Sequence, residues 1–166
     1  TIQADMINFK LKERVDFAYI MMGSIAYASR SNETFSSHLR SVTRVLRSGG
    51  LYILENFPIE WASPNFWRPQ VWEIKKQGIK VKTIYQLVLK SALSQLATQT
   101  LTLEVHDGKS RKTIADKDIV KLIFPEELKV LAQLNRQFEF LGFFEKNSTK
   151  KLRRADNNNF VVLRRR

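Results

Sequence analysis

The amino-acid sequence predicts an α/β domain into which an antiparallel β-rich stretch is inserted, and three observations carry that prediction. The runs VDFAYIMMGSIAY (15–27) and LYILENF (51–57) are apolar without strict alternation, as strands covered on both faces of a parallel sheet must be. Between them, SNETFSSHLRSVTRVLRSGG (31–50) places Phe35, Leu39, Val42 and Leu46 at helical spacing and closes on Gly-Gly. From Trp61 onward, polar and apolar residues alternate over long stretches, the period of strands with one wet face.

Each element has its local signal. Gly23-Ser24 ends the first apolar run. Ser31 or Asn32 can cap the helix, and Arg40, Arg44 and Arg47 complement the negative end of its dipole. Gly49-Gly50 supplies a left-handed cap, and the strand at 51–57 completes a right-handed βαβ unit. The segments 79–90, 95–107 and 112–124 are the clearest strands of an antiparallel meander spanning 67–124. His106-Asp107-Gly108-Lys109 is the hairpin turn between the last two. Residues 125–143 return to helix: Pro125 suits its first turn, Glu126 and Glu127 its positive end, and Gly142 its stop. Leu128, Leu131, Leu134 and Phe138 form its apolar face. FFEKN (143–147) and NFVVLRRR (159–166) close the chain as two short strands. Residues 1–166 thus make one domain, with a core of 1–60 plus 125–166 and an insertion at 61–124.

Composition excludes several chemistries. A chain of 166 residues buries roughly 70% of its surface on folding and needs no covalent staples. It has no cysteine, which excludes a thiolate metal site, a cysteine nucleophile and a disulfide scaffold. That fits a reducing compartment, and a cytoplasmic location is the expectation. The longest apolar stretch, 15–28, contains Asp16, Gly23 and Ser24 and falls short of the ~20 apolar residues of a membrane span. Opening on Thr rather than Met, the chain reads as processed or cut from a longer one. Half of the net charge of +12 lies in 145–166, where eight basic residues face Glu145 and Asp156. Such a field attracts polyanions, but no stacking aromatics accompany it, and a solvated tail is the simpler reading. His38 and His106 stand alone, without the carboxylate pattern of a metal site.

The segments ADMINFKLKERVDFAYIMMGSIAY and HLRSVTRVLRSGGLYILE together resemble the middle of class I S-adenosylmethionine-dependent methyltransferases. They share an acid–Met pair, a strand opened by Asp, a Gly/Ser turn followed by Tyr, a helix ending in Leu-x-x-Gly-Gly, and a strand ending in an acid. PEELKVLAQLNRQFEFLGFFE is similar to the helix before that family's final hairpin. The stretch 67–124 is similar to insertions in small-molecule methyltransferases, including those that N-methylate amino sugars. The resemblance implies a partial Rossmann-like methyltransferase sheet, S-adenosyl-L-methionine as cofactor, and methyl transfer to nitrogen, oxygen or carbon of a small-molecule substrate.

Carried over by position, the resemblance makes Asp5 the acceptor for the adenine amino group and Met6 the residue packed on the adenine ring. Met21 and Met22 fall near the methionine part of the cofactor, and Gly23 and Ser24 form the turn beside it. Tyr27, Glu55 and Asn56 would face the substrate. Trp61, Phe66, Trp67 and Trp72 either wall a substrate pocket or anchor the insertion, which would act as a lid. No residue is singled out as the catalytic base.

The family's glycine-rich Gly-x-Gly-x-Gly turn and its ribose-binding acid have no counterpart among these residues. In the family's strand order, 3-2-1-4-5-7-6, the resemblance takes up at the third strand. The natural protein is therefore expected to be longer, or the chain a gene fragment, and these 166 residues alone to bind the cofactor weakly. The family's fourth strand would then form an apolar edge. Two other readings stay open: a basic nucleic-acid-binding module or RNA methyltransferase, and a non-catalytic methyltransferase-like fragment.

Overall fold

The computed structural model describes residues 1–166. In chain order the elements are β1 (Val15–Ile20), α1 (Asn32–Val45), β2 (Leu46–Glu55), β3 (Gln70–Lys76), β4 (Ile79–Ser91), β5 (Leu96–His106), β6 (Arg111–Lys121), α2 (Pro125–Leu134), β7 (Phe138–Glu145) and β8 (Asn159–Arg165). They fall into two compact units, one made of Thr1–Glu60 with Leu122–Arg166 and the other of Trp61–Lys121.

In the first unit a four-stranded sheet runs in the order β1-β2-β8-β7. β1 and β2 are parallel, with Phe17 opposite Leu51 and Ile20 opposite Leu54. β8 runs antiparallel to both β2 and β7. These strands occupy the last four places, 4-5-7-6, of the order the resemblance implies. No strand forms before Val15, so the sheet is entered at the fourth place and not the third.

α1 starts where the sequence allows it. Ser31 Oγ accepts from the Thr34 amide at 3.2 Å, and the Ser31 amide donates to Thr34 Oγ1 at 2.9 Å, a reciprocal cap. Its inner face buries Phe35, Leu39 and Val42 against Tyr52, Leu54, Phe138, Val161 and Leu163. Burial of each large apolar side chain stabilises the fold by about 1.5–3 kcal/mol.

Several expectations are corrected here. α1 stops at Val45, because Leu46, fully buried, is already extended (ψ 147) and paired with Val15. Gly49 is left-handed (φ 80) but lies inside β2, where the register against β1 shifts, and not at the helix end. α2 stops at Leu134, and Arg136 turns left-handed (φ 57) before β7 begins at Phe138. The aromatic run FEFLGFF prefers a pleated, half-buried surface over a helix. Phe138 therefore lies on a strand, stacked with Tyr52 at 6.2 Å, and Gly142 sits at a bulge in β7. Finally, β1 is not covered on both faces: Phe17 and Tyr19 are 52% and 38% exposed, as residues of an edge strand.

The second unit is a meander in the order β3-β4-β5-β6, each pair antiparallel. Its last hairpin turns at Asp107-Gly108, where the Asp107 carboxylate accepts from the Lys109 and Ser110 amides at 2.9 and 2.6 Å. The first hairpin turns at Gln77-Gly78, both left-handed (φ 51 and 80), a turn the alternation did not announce. The expectation of one buried face holds for only part of the sheet. Thr83, Leu87, Ala97 and Val120 are buried, while Trp72, Ile74, Ile79 and Ile114 on the same face are exposed. The other face carries ion pairs, Lys80 with Glu73 at 2.9 Å and Arg111 with Glu104 at 3.0 Å. No helix is long and apolar enough to cross a membrane.

Candidate functional site

Ligands of open α/β sheets gather beyond the carboxyl ends of the strands. Here those ends belong to β1 and β2. After Ile20 the chain bends through two left-handed residues, Met22 (φ 54) and Gly23 (φ 68), into a short 3-10 turn at Ser24–Tyr27. β2 ends at Glu55, and Asn56 is left-handed as well (φ 53). A non-glycine residue in that region costs about 1–2 kcal/mol, so the surroundings must hold it there.

Glu55 does the holding. Its Oε2 accepts from the Met22 amide at 2.9 Å, and its carbonyl accepts from the Gly23 amide at 3.2 Å. Its Oε1 pairs with Lys146 Nζ at 2.6 Å, and the Tyr19 phenol lies close enough to help hold the carboxylate ionised. The residue is 5% exposed. The Lys146 ammonium first, and the Met22 amide second, hold its carboxyl below the usual range, so it stays ionised. Burial, and then the Glu55 charge, raise the Tyr19 phenol. Glu55 is thus a structural anion whose oxygens are engaged, a poor general base.

Met21 and Met22 are 56% and 76% exposed at this tip, and Tyr27 is 45% exposed at the end of the 3-10 turn. A Cβ on Gly23 would stand 3.6 Å from the Asn56 carbonyl, so the two turns touch. The structure therefore gathers Met22, Gly23, Glu55 and Asn56, and adds Tyr19 and Lys146, which the sequence reading missed. The sequence places Lys146 in the charged tail, and nothing local to it marks Glu55 as its partner.

Asp5 and Met6 are held by a separate set of bonds, along α1. Asp5 is exposed, and its Oδ1 accepts from the Ile7 amide at 2.7 Å. Met6 is half-buried against the core. Its carbonyl lies 2.6 Å from His38 Nδ1, and His38 Nε2 lies 2.6 Å from the Tyr52 hydroxyl. His38 is 2% exposed, and burial lowers its pKa despite the bond to Met6. The ring is neutral at pH 7, with Nδ1–H donating to the carbonyl and Nε2 accepting from the tyrosine. The ring is packed in the core with both nitrogens hydrogen-bonded. His106, in the exposed hairpin, accepts from the Gly108 amide at 3.2 Å.

In the second unit, Trp67 Nε1 donates to the Trp61 carbonyl at 2.9 Å, and Phe66 meets Trp67 edge-on at 4.9 Å. Three of these aromatics form a local knot around the turn at Pro64–Trp67, while Trp72 projects from β3. No group of three or more His, Asp or Glu could hold a metal ion. Three basic residues of 145–166 are engaged within the fold: Lys146 with Glu55, Arg164 with Glu139 at 2.7 Å, and Arg165 with the Leu46 carbonyl.

No protein-family model matches the chain. No curated protein matches it either. Solved structures do. DesVI from Streptomyces venezuelae superposes with a TM-score of 0.78 at 16% identity, over 99% of this chain and 64% of that one. CalS10, an amino pentose methyltransferase from Micromonospora echinaspora involved in calicheamicin biosynthesis, gives 0.71 at 14% identity, over 98% and 63%. The sugar N-methyltransferase KedS8 from Streptoalloteichus sp. gives 0.70 at 21% identity, over 99% and 61%. The chain spans less than two thirds of the length of each of these structures. Its fold is that of a class I S-adenosylmethionine-dependent methyltransferase, present in part.

Proposed function

We propose that the chain is the adenine- and acceptor-side part of an S-adenosylmethionine-dependent methyltransferase whose substrate is a small molecule. The parallel pairing of β1 with β2, with an ordered turn pinned at their carboxyl ends, is the observation that carries this reading. The likeness to a sugar N-methyltransferase and an amino pentose methyltransferase makes an amino-sugar nitrogen the first acceptor to test.

The residues present fit the adenosyl half of such a cofactor. Asp5 uses Oδ1 on Ile7 and keeps Oδ2 for an amino group, and Met6 offers a soft apolar surface beside it. Met21 and Met22 expose polarizable thioethers at the strand tip. When bound, the cofactor supplies an electrophilic methyl group on a sulfonium. The chain's task is then to orient and exclude water: the Met22-Gly23 turn, held by Glu55, fixes the backbone, and Tyr27 and Asn56 stand on the substrate side. With its oxygens engaged, Glu55 is not the proton acceptor. Internal use of Lys146, Arg164 and Arg165 lowers the charge available to a nucleic acid.

The test is methyl transfer by the native-length protein from labelled S-adenosylmethionine to amino sugars. Labelled product is expected, and Asp5→Ala should raise KM for the cofactor about tenfold, the worth of one hydrogen bond. Failure of the native-length protein to bind S-adenosylhomocysteine by calorimetry would overturn the reading and favour a non-catalytic fragment.

A further inference from the structure

Residues 6–8 lie along α1 and are bonded to it at three successive places. His38 Nδ1 is 2.6 Å from the Met6 carbonyl, Ser41 Oγ donates to the Ile7 carbonyl at 3.0 Å, and Arg44 Nη2 donates to Asn8 Oδ1 at 3.0 Å. Positions 38, 41 and 44 are three apart, so they share one stripe of the helix. The three bonds differ in environment. Arg44 is exposed, whereas Ser41 and His38 are both buried, at 0% and 2% exposed, and of these His38 alone is braced from behind, by Tyr52, which is 1% exposed. The rings of Phe9, Phe35 and Tyr52 lie 5.7–6.4 Å from the imidazole. A buried hydrogen bond in such surroundings is stronger than an exposed one, and leaving either partner unpaired is costly.

Residues 1–14 have no strand or helix of their own. Their path therefore depends on side-chain bonds from α1. Asp5 is the next residue beyond this ladder, and its carboxylate is fixed only by the Ile7 amide, whose own carbonyl is the second rung. A loss at the first rung should reach Asp5 directly.

We infer that His38 is a positioning residue that latches Met6 onto α1 and thereby sets where the Asp5 carboxylate stands for a nucleoside amino group. This rests on the function proposed above. The histidine touches neither cofactor nor substrate. It acts through the Met6 carbonyl, which can only accept and so fixes the tautomer that donates from Nδ1, leaving Nε2 to accept from the Tyr52 hydroxyl.

Two substitutions separate the halves of the latch. In His38→Asn the amide nitrogen takes the place of Nδ1 and keeps a donor for Met6. In His38→Gln it takes the place of Nε2 and keeps the Tyr52 contact while abandoning Met6. A third, Ser41→Ala, removes the second rung without touching the buried ring. Amide hydrogen exchange in the native-length protein should be about tenfold faster at Ile7 in His38→Gln, with β2 and β8 unchanged, and near wild type in His38→Asn. S-adenosylhomocysteine affinity by calorimetry should fall about tenfold in His38→Gln and recover in His38→Asn. Ser41→Ala should show the same pattern more weakly. If wild type binds S-adenosylhomocysteine but Ile7 exchange and affinity are the same in wild type and His38→Gln, or Asn fails to rescue a folded protein, the inference is overturned alone. If wild type binds none, the functional reading falls and the inference with it.

Discussion

The two units of this chain are ordered by different means. In the first, the sheet β1-β2-β8-β7 is short-stranded and its register follows burial: Leu54, Val161 and Leu163 are fully buried, and helices supply the cover. In the second, strands of up to 13 residues pair over nearly their whole length, yet every residue of β3 is exposed. There the backbone ladder and two tight turns set the register. A one-residue slip in the first unit would turn apolar side chains to water and is strongly opposed. In the second, the turns at Gln77-Gly78 and Asp107-Gly108 have to resist it.

Substitutions can sharpen that contrast, and the largest effect belongs to the first unit. Phe35→Ala, at a fully buried position, should cost about 3–5 kcal/mol in denaturant unfolding. Glu55→Gln should cost about 2–3 kcal/mol by the same measurement, because it leaves Lys146 without its charge partner and loosens the Met22 turn. Gly50→Ala should cost about 1–3 kcal/mol in thermal unfolding, since its Cβ would meet the Arg47 and Asp16 carbonyls at 2.9 and 3.0 Å. Ile74→Ser in the second unit, 62% exposed, should change stability by less than about 0.5 kcal/mol.

Acid should weaken the first unit in two steps. The folded pKa of His38 lies below its ordinary 6.5, so its contribution is complete above that value and is lost as pH falls through it towards the folded pKa. Glu55, held below its ordinary 4.5, contributes fully above that value and loses its contribution further into acid. A pH series of urea melts should show both steps, and His38→Asn should remove only the upper one.

Much of this architecture was legible in the residues. The βαβ unit, the Ser31 cap, the Asp107-Gly108 turn and the antiparallel meander all have local signals, and local signals are what a sequence carries best. Element ends were less legible. Leu46 has helical spacing with Val42, but pairing with Val15 draws it into β2. Phe138 fits the apolar face of a helix as well as a strand, and only stacking on Tyr52 decides between them. At the candidate site, the resemblance implies Met22, Gly23 and Glu55, and the structure bonds these three together. Tyr19 and Lys146 were missed because their roles depend on a carboxylate brought to them by the sheet.

That carboxylate links the turn after β1, the tip of β2 and the chain just past β7. Loops that share one anchor do not vary independently. Anyone replacing one of these loops would have to keep Glu55, Lys146 and the left-handed bend at Met22 as a set.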